Sequence, residues 1–164
     1  MIFDDIKKLF DNWNILKQKS HFDTKIIGIK ERDIVFIKMG QNVGYEQDGK
    51  GEEFLRPVVI YKKFNKNMFL GIPLTTKQKE NIYHFEFSYM NKSGIEVKNS
   101  AILSQIKMYD AKRVKYKVGM INKDDFIKLY EKFIEVTKPE VVTPSKEGEP
   151  LGDSIDVILS NKSK

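Results

Sequence analysis

Residues 55–61 read LRPVVIY and follow a polar, glycine-rich stretch, GQNVGYEQDGKGEEF, at 40–54. Val58, Val59 and Ile60 are β-branched, so the run predicts a strand. Pro57 fixes its own φ, lacks an N–H and biases Arg56 toward an extended backbone, which presents the guanidinium at the start of a rigid strand. Arg carries five N–H donors in a planar fork that suits phosphate oxygens, and it stays charged. Two readings of Arg56 are open here: a cation held for a phosphate, or an ordinary ion pair with Glu46, Glu52 or Glu53.

Outward from this strand the pattern stays β. Asp33 to Met39 is a nearly continuous apolar run, Phe69 to Leu74 is another, and Tyr83, Phe85, Phe87 and Tyr89 alternate with His84, Glu86 and Ser88. Ser100 to Ile106 predicts one more strand, and Gly and Asn cluster between the runs where turns belong. Several short strands in so few residues imply a mainly β fold, a small, strongly bent sheet or barrel. Helices flank it. Ile2, Ile6, Leu9, Trp13 and Leu16 form a helical stripe within residues 1–24, expected to dock on the chain's own domain. Asn122 can cap a second helix, with Asp124 and Asp125 in its first turn, Phe126, Tyr130 and Phe133 as its buried stripe, and an end near Val136. From 137 to 164 the composition is that of a polar, mobile tail, interrupted by the apolar run Ile155 to Leu159. The segments are thus 1–24, 25–136 and 137–164.

Composition narrows the function. With 164 residues, 40% hydrophobic and 32% charged, the chain can bury one core. Its net charge of +6 divides into 0, +7 and −1 over the three segments, so the positive surplus sits in the β region. Only Arg32, Arg56 and Arg113 are arginines. The absence of Cys removes disulfides, thiolate zinc sites and thiol nucleophiles, and no HExxH or GxxxxGK[ST] is present. No secretory leader and no apolar run near the roughly 18 residues of a membrane span appear, which makes a soluble cytoplasmic chain the expectation.

Two more segments could carry chemistry. IPLTT at 72–76 ends a strand on two hydroxyls, Thr75 and Thr76. SAILSQIKMYDAKRVKY at 100–116 carries Gln105 and then Lys107, Lys112, Arg113 and Lys115 interleaved with Tyr109 and Tyr116, with Lys117 following. Charges that track phosphates beside rings that stack on bases suit single-stranded nucleic acid, and an edge strand protected by Lys fits the same residues.

The ordered segments ERDIVFIKMG (31–40), NVGYEQDG (42–49), LRPVVIY, GIPLTT (71–76) and SAILSQIKMYD (100–110) together resemble the MazF/PemK toxins of bacterial toxin–antitoxin pairs, over residues 29 to 133. The resemblance implies an SH3-like β-barrel with a C-terminal helix, forming a homodimer that cuts single-stranded RNA without a metal or cofactor. It places the family's essential Arg and Thr on Arg56 and Thr75, matches Glu46 and Gln47 to the family's GxEQ element, and matches Gln105 to a Gln implicated in RNA contact; Glu46, nearest in sequence, is the candidate base and Gln47 a candidate RNA contact. Tyr45, Lys107 and Arg113 complete the expected RNA surface. An antitoxin with an acidic, disordered tail is the implied partner, and no membrane is involved. The chain departs from the family at Tyr45, where Ser is frequent, at Arg32, where Gly usually precedes the strand, and in the eight residues separating Gln47 from Arg56, more than the family's usual spacing. His84 is a second candidate base by its ordinary pKa, though its place on the polar side of a strand favours a structural role. Two other functions share this fold class: a CcdB-like poison that binds gyrase and cuts nothing, and an RNA-binding module without cleavage.

Overall fold

The computed structural model describes residues 2–139. DIVFIK forms β1 (Asp33–Lys38), antiparallel to β2 (Leu55–Lys63), with Ile34 opposite Val59 and Ile37 opposite Arg56. β2 pairs in turn with β3 (Met68–Thr75), and β4 (His84–Met90) pairs with β5 (Glu96–Ile102). β6 (Lys107–Asp110) and β7 (Val114–Met120) complete an antiparallel sheet in the order β4-β5-β3-β2-β1-β7, with β6 on β3. The mainly β architecture read from the sequence is the one observed.

The unbroken apolar runs have a structural reason. Val35, Ile37, Val58, Ile60, Phe69 and Val114 bury one face, while Ile34, Val59, Ile72, Phe87 and Ile121 bury the other, so the central strands have no solvent side. Strands covered on both faces need no polar alternation. α2 (Lys123–Thr137) packs on the second of these cores through buried Leu129, and its Phe126 and Phe133 rings lie 6.1 and 5.2 Å from Tyr61. The expected cap is present: the Asn122 Oδ1 accepts from the Asp125 N–H at 2.8 Å. Tyr130, placed in the buried stripe by its spacing, is instead exposed on the outer side of Tyr61.

β3 serves two partners along one edge, β6 on Met68–Gly71 and β5 on Leu74–Thr75. The single strand expected over Ser100–Ile106 is therefore not formed. β5 stops at Ile102, and a 3-10 turn at Leu103–Gln105 takes up the three residues by which the two registers differ. At the far end Gly119 lets β7 approach β4, since a Cβ there would collide with the Tyr89 ring and meet the Met90 carbonyl oxygen at 3.0 Å. Gly is the residue that such a close approach requires.

α1 (Ile2–Phe22) forms where the periodicity puts it. Its docking is narrower than the stripe implies, because Trp13 and Ser20 are buried whereas Ile6 and Leu9 are exposed. No helix among the described residues is long and apolar enough to cross a membrane. The expected polar tail, past Pro139, lies outside the described residues.

Arg32 explains one departure from the family pattern. It has φ of +74°, the left-handed conformation that Gly adopts without cost, and its Nε and Nη2 both donate to the Ile121 carbonyl at 3.1 and 3.0 Å. The side chain thus ties β1 to the segment entering α2, offsetting a backbone cost of about 1–2 kcal/mol. Arg32→Ala, which keeps the strain and loses the bonds, is expected to destabilise by about 1–3 kcal/mol. Arg32→Gly, which relieves the strain, should cost distinctly less. Urea midpoints of the two variants check this, and equal losses would remove the backbone from the account.

Candidate functional site

Arg56 and Thr75 come together because β2 and β3 are neighbours. Continuing their register two residues past Val58–Pro73 sets Arg56 across from Thr75. Both line an open groove with Phe36, Lys50, Leu55, Leu74 and Thr76. The guanidinium is held from behind by two carbonyls: Nε donates to Asp48 O at 2.5 Å and Nη1 to Leu74 O at 3.3 Å. Among the described residues Nη2 has no protein acceptor. Burial pulls the Arg56 pKa down, with the Asp48 carboxylate opposing, yet an Arg so placed keeps its charge near neutrality. The Thr75 Oγ1 accepts from the Lys77 N–H at 3.2 Å, which leaves its own O–H to donate elsewhere. The ion-pair reading of Arg56 gives way to these contacts, since Glu46 pairs with Lys107 at 2.8 Å and Glu53 with Lys115 at 2.6 Å.

The glycine-rich stretch is folded tightly. Asp48 staples it, its carboxylate accepting from the Asn42 N–H at 2.6 Å and from Gln41 Nε2 at 2.9 Å. Gln105, delivered by the 3-10 turn, joins it from the other side: its Oε1 accepts from the Gln47 N–H and its Nε2 donates to Tyr45 O, both at 3.2 Å. Glu46, Gln47, Gln105, Lys107 and Tyr45 therefore form one cluster, with Tyr45 99% exposed. The extra residues before Arg56 close into a tight hairpin in which Lys50 and Leu55 exchange N–H···O bonds of 2.8 and 2.9 Å. The lengthened connection is thus absorbed locally, and Arg56 still reaches the groove. Asp48 was missed by the sequence reading. Its one local signal is Asp followed by Gly in a loop, the setting in which a short carboxylate bonds nearby backbone.

Other candidates fall elsewhere. Arg113 Nη1 donates to Lys38 O at 2.9 Å and Met39 O at 3.2 Å, and its guanidinium lies 5.4 Å from the Trp13 ring centre. Tyr109 is only 6% exposed and packs on Phe69, so it offers no face to a base, and burial pushes its phenol up to about 12. Tyr116 remains partly exposed beside Phe36, at 5.1 Å. His84 Nδ1 contacts Asn81 Oδ1 at 2.7 Å at the start of β4, outside the groove, and burial together with Lys79 lowers its pKa. No group of three His, Asp or Glu side chains placed to hold a metal occurs among the described residues.

The hydrogen bond from Lys107, with that from the Val43 N–H, holds the Glu46 carboxyl below the ordinary value of 4.5. The native value being the lower one, the Lys107 link is intact above the ordinary value and is lost as pH falls through the depressed one. In an NMR titration the amides of Glu46 and Gln47 should follow a transition whose midpoint lies below the ordinary value of 4.5. Glu46→Gln should abolish that transition, and a midpoint above the ordinary value would overturn the assignment.

With the geometry in place, comparison with known proteins adds a common background. The family model described as "PemK-like, MazF-like toxin of type II toxin-antitoxin system" matches residues 30–137. Among solved structures, MazF from Deinococcus radiodurans is similar at 13% identity, covering 67% of this chain and 96% of that one, with a TM-score of 0.51. The Mycobacterium tuberculosis toxin MazF-mt6 is similar at 13% identity, covering 63% and 94%, with a TM-score of 0.48. At such identity the first of these shows a shared fold. No curated protein sequence matches the chain.

Proposed function

The chain belongs to the PemK-like, MazF-like toxins of type II toxin–antitoxin systems, and from that premise we propose that it is an endoribonuclease cleaving single-stranded RNA. The observation that carries this reading is the groove lined by both Arg56, whose Nη2 amino group is unshared among the described residues, and Thr75, whose O–H is free to donate. A substrate 2′-OH attacks the adjacent phosphorus, forming the O2′–P bond and breaking the P–O5′ bond, while its proton passes to solvent water and the departing O5′ takes a proton from water, which yields a 2′,3′-cyclic phosphate and a 5′-hydroxyl. Arg56 stabilises the charge that grows on the non-bridging oxygens, and Thr75 donates to one of them and orients the phosphate.

Glu46 is a poor base in this setting, since Lys107 keeps it a stabilised carboxylate. Its part is to hold Lys107 and the loop, while acceleration comes from charge and orientation. Gln47, which adjoins the Asp48 that holds Arg56, and with it Gln105 and Lys107 contact the RNA beyond the groove. The exposed Tyr45 ring stacks on a neighbouring base, a contact worth about 1–3 kcal/mol. A cytoplasmic homodimer neutralised by an antitoxin with an acidic tail completes the proposal, as the family membership suggests.

The test incubates the protein, and Arg56→Ala, with a long single-stranded RNA in excess EDTA and maps the new ends. Discrete cuts with 5′-hydroxyl and cyclic-phosphate ends, absent with the variant, are expected. A folded protein that makes no cuts would overturn the reading in favour of a CcdB-like poison or a binding module.

A further inference from the structure

We infer that Trp13 is a positioning residue for the RNA site, clamping the stem of the 40–54 loop from a helix that lies outside the family-matched segment. The inference rests on the endoribonuclease reading of the groove. α1 leaves most of its large apolar side chains in solvent, with Phe3 77% exposed, yet it buries Trp13. The indole sits where the loop begins and ends. Gly40 has φ of +100°, and a Cβ there would run into the indole, so the chain leaves β1 directly beneath this ring. Phe54, where the loop returns, is buried with its ring 5.7 Å from that of Trp13. The same Phe54 carbonyl accepts from the N–H groups of Met39 at 2.9 Å and Gly40 at 3.4 Å, which closes the stem. Arg113 completes the clamp, its guanidinium against the indole and its Nη1 on the two carbonyls preceding Gly40.

From the stem a short chain of bonds leads to the chemistry. Gly40 O accepts from the Gly49 N–H at 2.7 Å, and the neighbouring Asp48 carbonyl receives Arg56 Nε. Movement at the stem is therefore passed to the guanidinium through two hydrogen bonds and one peptide unit. The helix is anchored at its other end as well, where Lys112 Nζ donates to the His21 carbonyl at 2.7 Å. A structural filler would be replaceable wherever volume is kept, whereas a clamp must press on Gly40 and Phe54 together, which demands a flat aromatic ring.

The full chain is compared with Trp13→Ala and Trp13→Phe, with Trp13→Leu in place of the Ala variant should that one fail to fold. Removing the ring is expected to lower kcat/KM for RNA cleavage by about tenfold to a hundredfold, the scale of a small misplacement of reacting groups. The loss should fall in kcat, with KM little changed, and Trp13→Phe should restore most of it. Hydrogen exchange at amides 41–53 should accelerate in the Ala or Leu variant while the β4–β5 hairpin keeps its wild-type protection. A folded Ala or Leu variant with wild-type kcat and unchanged loop exchange would overturn the inference. If the wild-type protein cuts no RNA, the cleavage reading has failed, and loop exchange alone then decides whether Trp13 clamps the stem.

Discussion

Arg56→Ala is expected to reduce kcat for RNA cleavage by about 10²–10³, the loss typical of one charge-assisted donor that acts on the transition state. The Nε and Nη1 contacts to Asp48 O and Leu74 O leave one amino group for substrate, so the fork is both fixed and partly free. A fixed donor meets the developing charge without reorganising, which is why the effect should appear in kcat and much less in KM. Arg56→Lys should fail nearly as badly. A single ammonium cannot donate to two carbonyls behind it and to a phosphate ahead of it in one plane. Single-turnover cleavage with circular dichroism as the folding control measures both variants. A Lys variant within about tenfold of wild type would show that charge alone suffices, contrary to a role for the fork.

Thr75→Ala is expected to cost a similar factor, and Thr76→Ala far less. Thr75 is partly buried at the end of β3 with its oxygen already accepting from Lys77 N–H, which directs its O–H, while Thr76 is fully on the surface of the same groove. Orientation of one phosphate oxygen is worth what a well-placed donor contributes, about 3–4 kcal/mol in the barrier. Thr75→Ser, which keeps the hydroxyl, should retain much of the rate. Equal losses at 75 and 76 would sink the assignment of the hydroxyl.

What the sequence discloses here follows from how local each signal is. The β2 run, the Asn122 cap and the Pro57 constraint on Arg56 act over a few residues, and each is legible and present in the fold. At β7 the sequence leaves two readings open, a basic nucleic-acid surface and a Lys-protected edge strand, because VKYKVGM interleaves Lys115 and Lys117 with apolar residues; the fold forms the strand. The break after Ile102 answers to the two partners of β3, a long-range fact that no window of the chain contains. In the site, Arg56 and Thr75 were legible as residue types at strand ends. Asp48 was not, since its hold on Arg56 runs through its backbone carbonyl, an atom every residue has, while its carboxylate only closes the loop. Tyr109 misled for the opposite reason: a ring among lysines reads as a stacking platform, but its place in β6 turns it into the core against Phe69.

Trp13 is also the chain's single tryptophan. Its emission therefore reports one place in the molecule, the seam between an added helix and the loop, with no second indole to dilute the signal. Excited in its buried setting, it should emit toward the blue, and lifting the helix would wet the ring and move the spectrum to the red before the sheet itself melts. The protein thus carries its own optical probe of the seam, readable in unlabelled material during RNA titration.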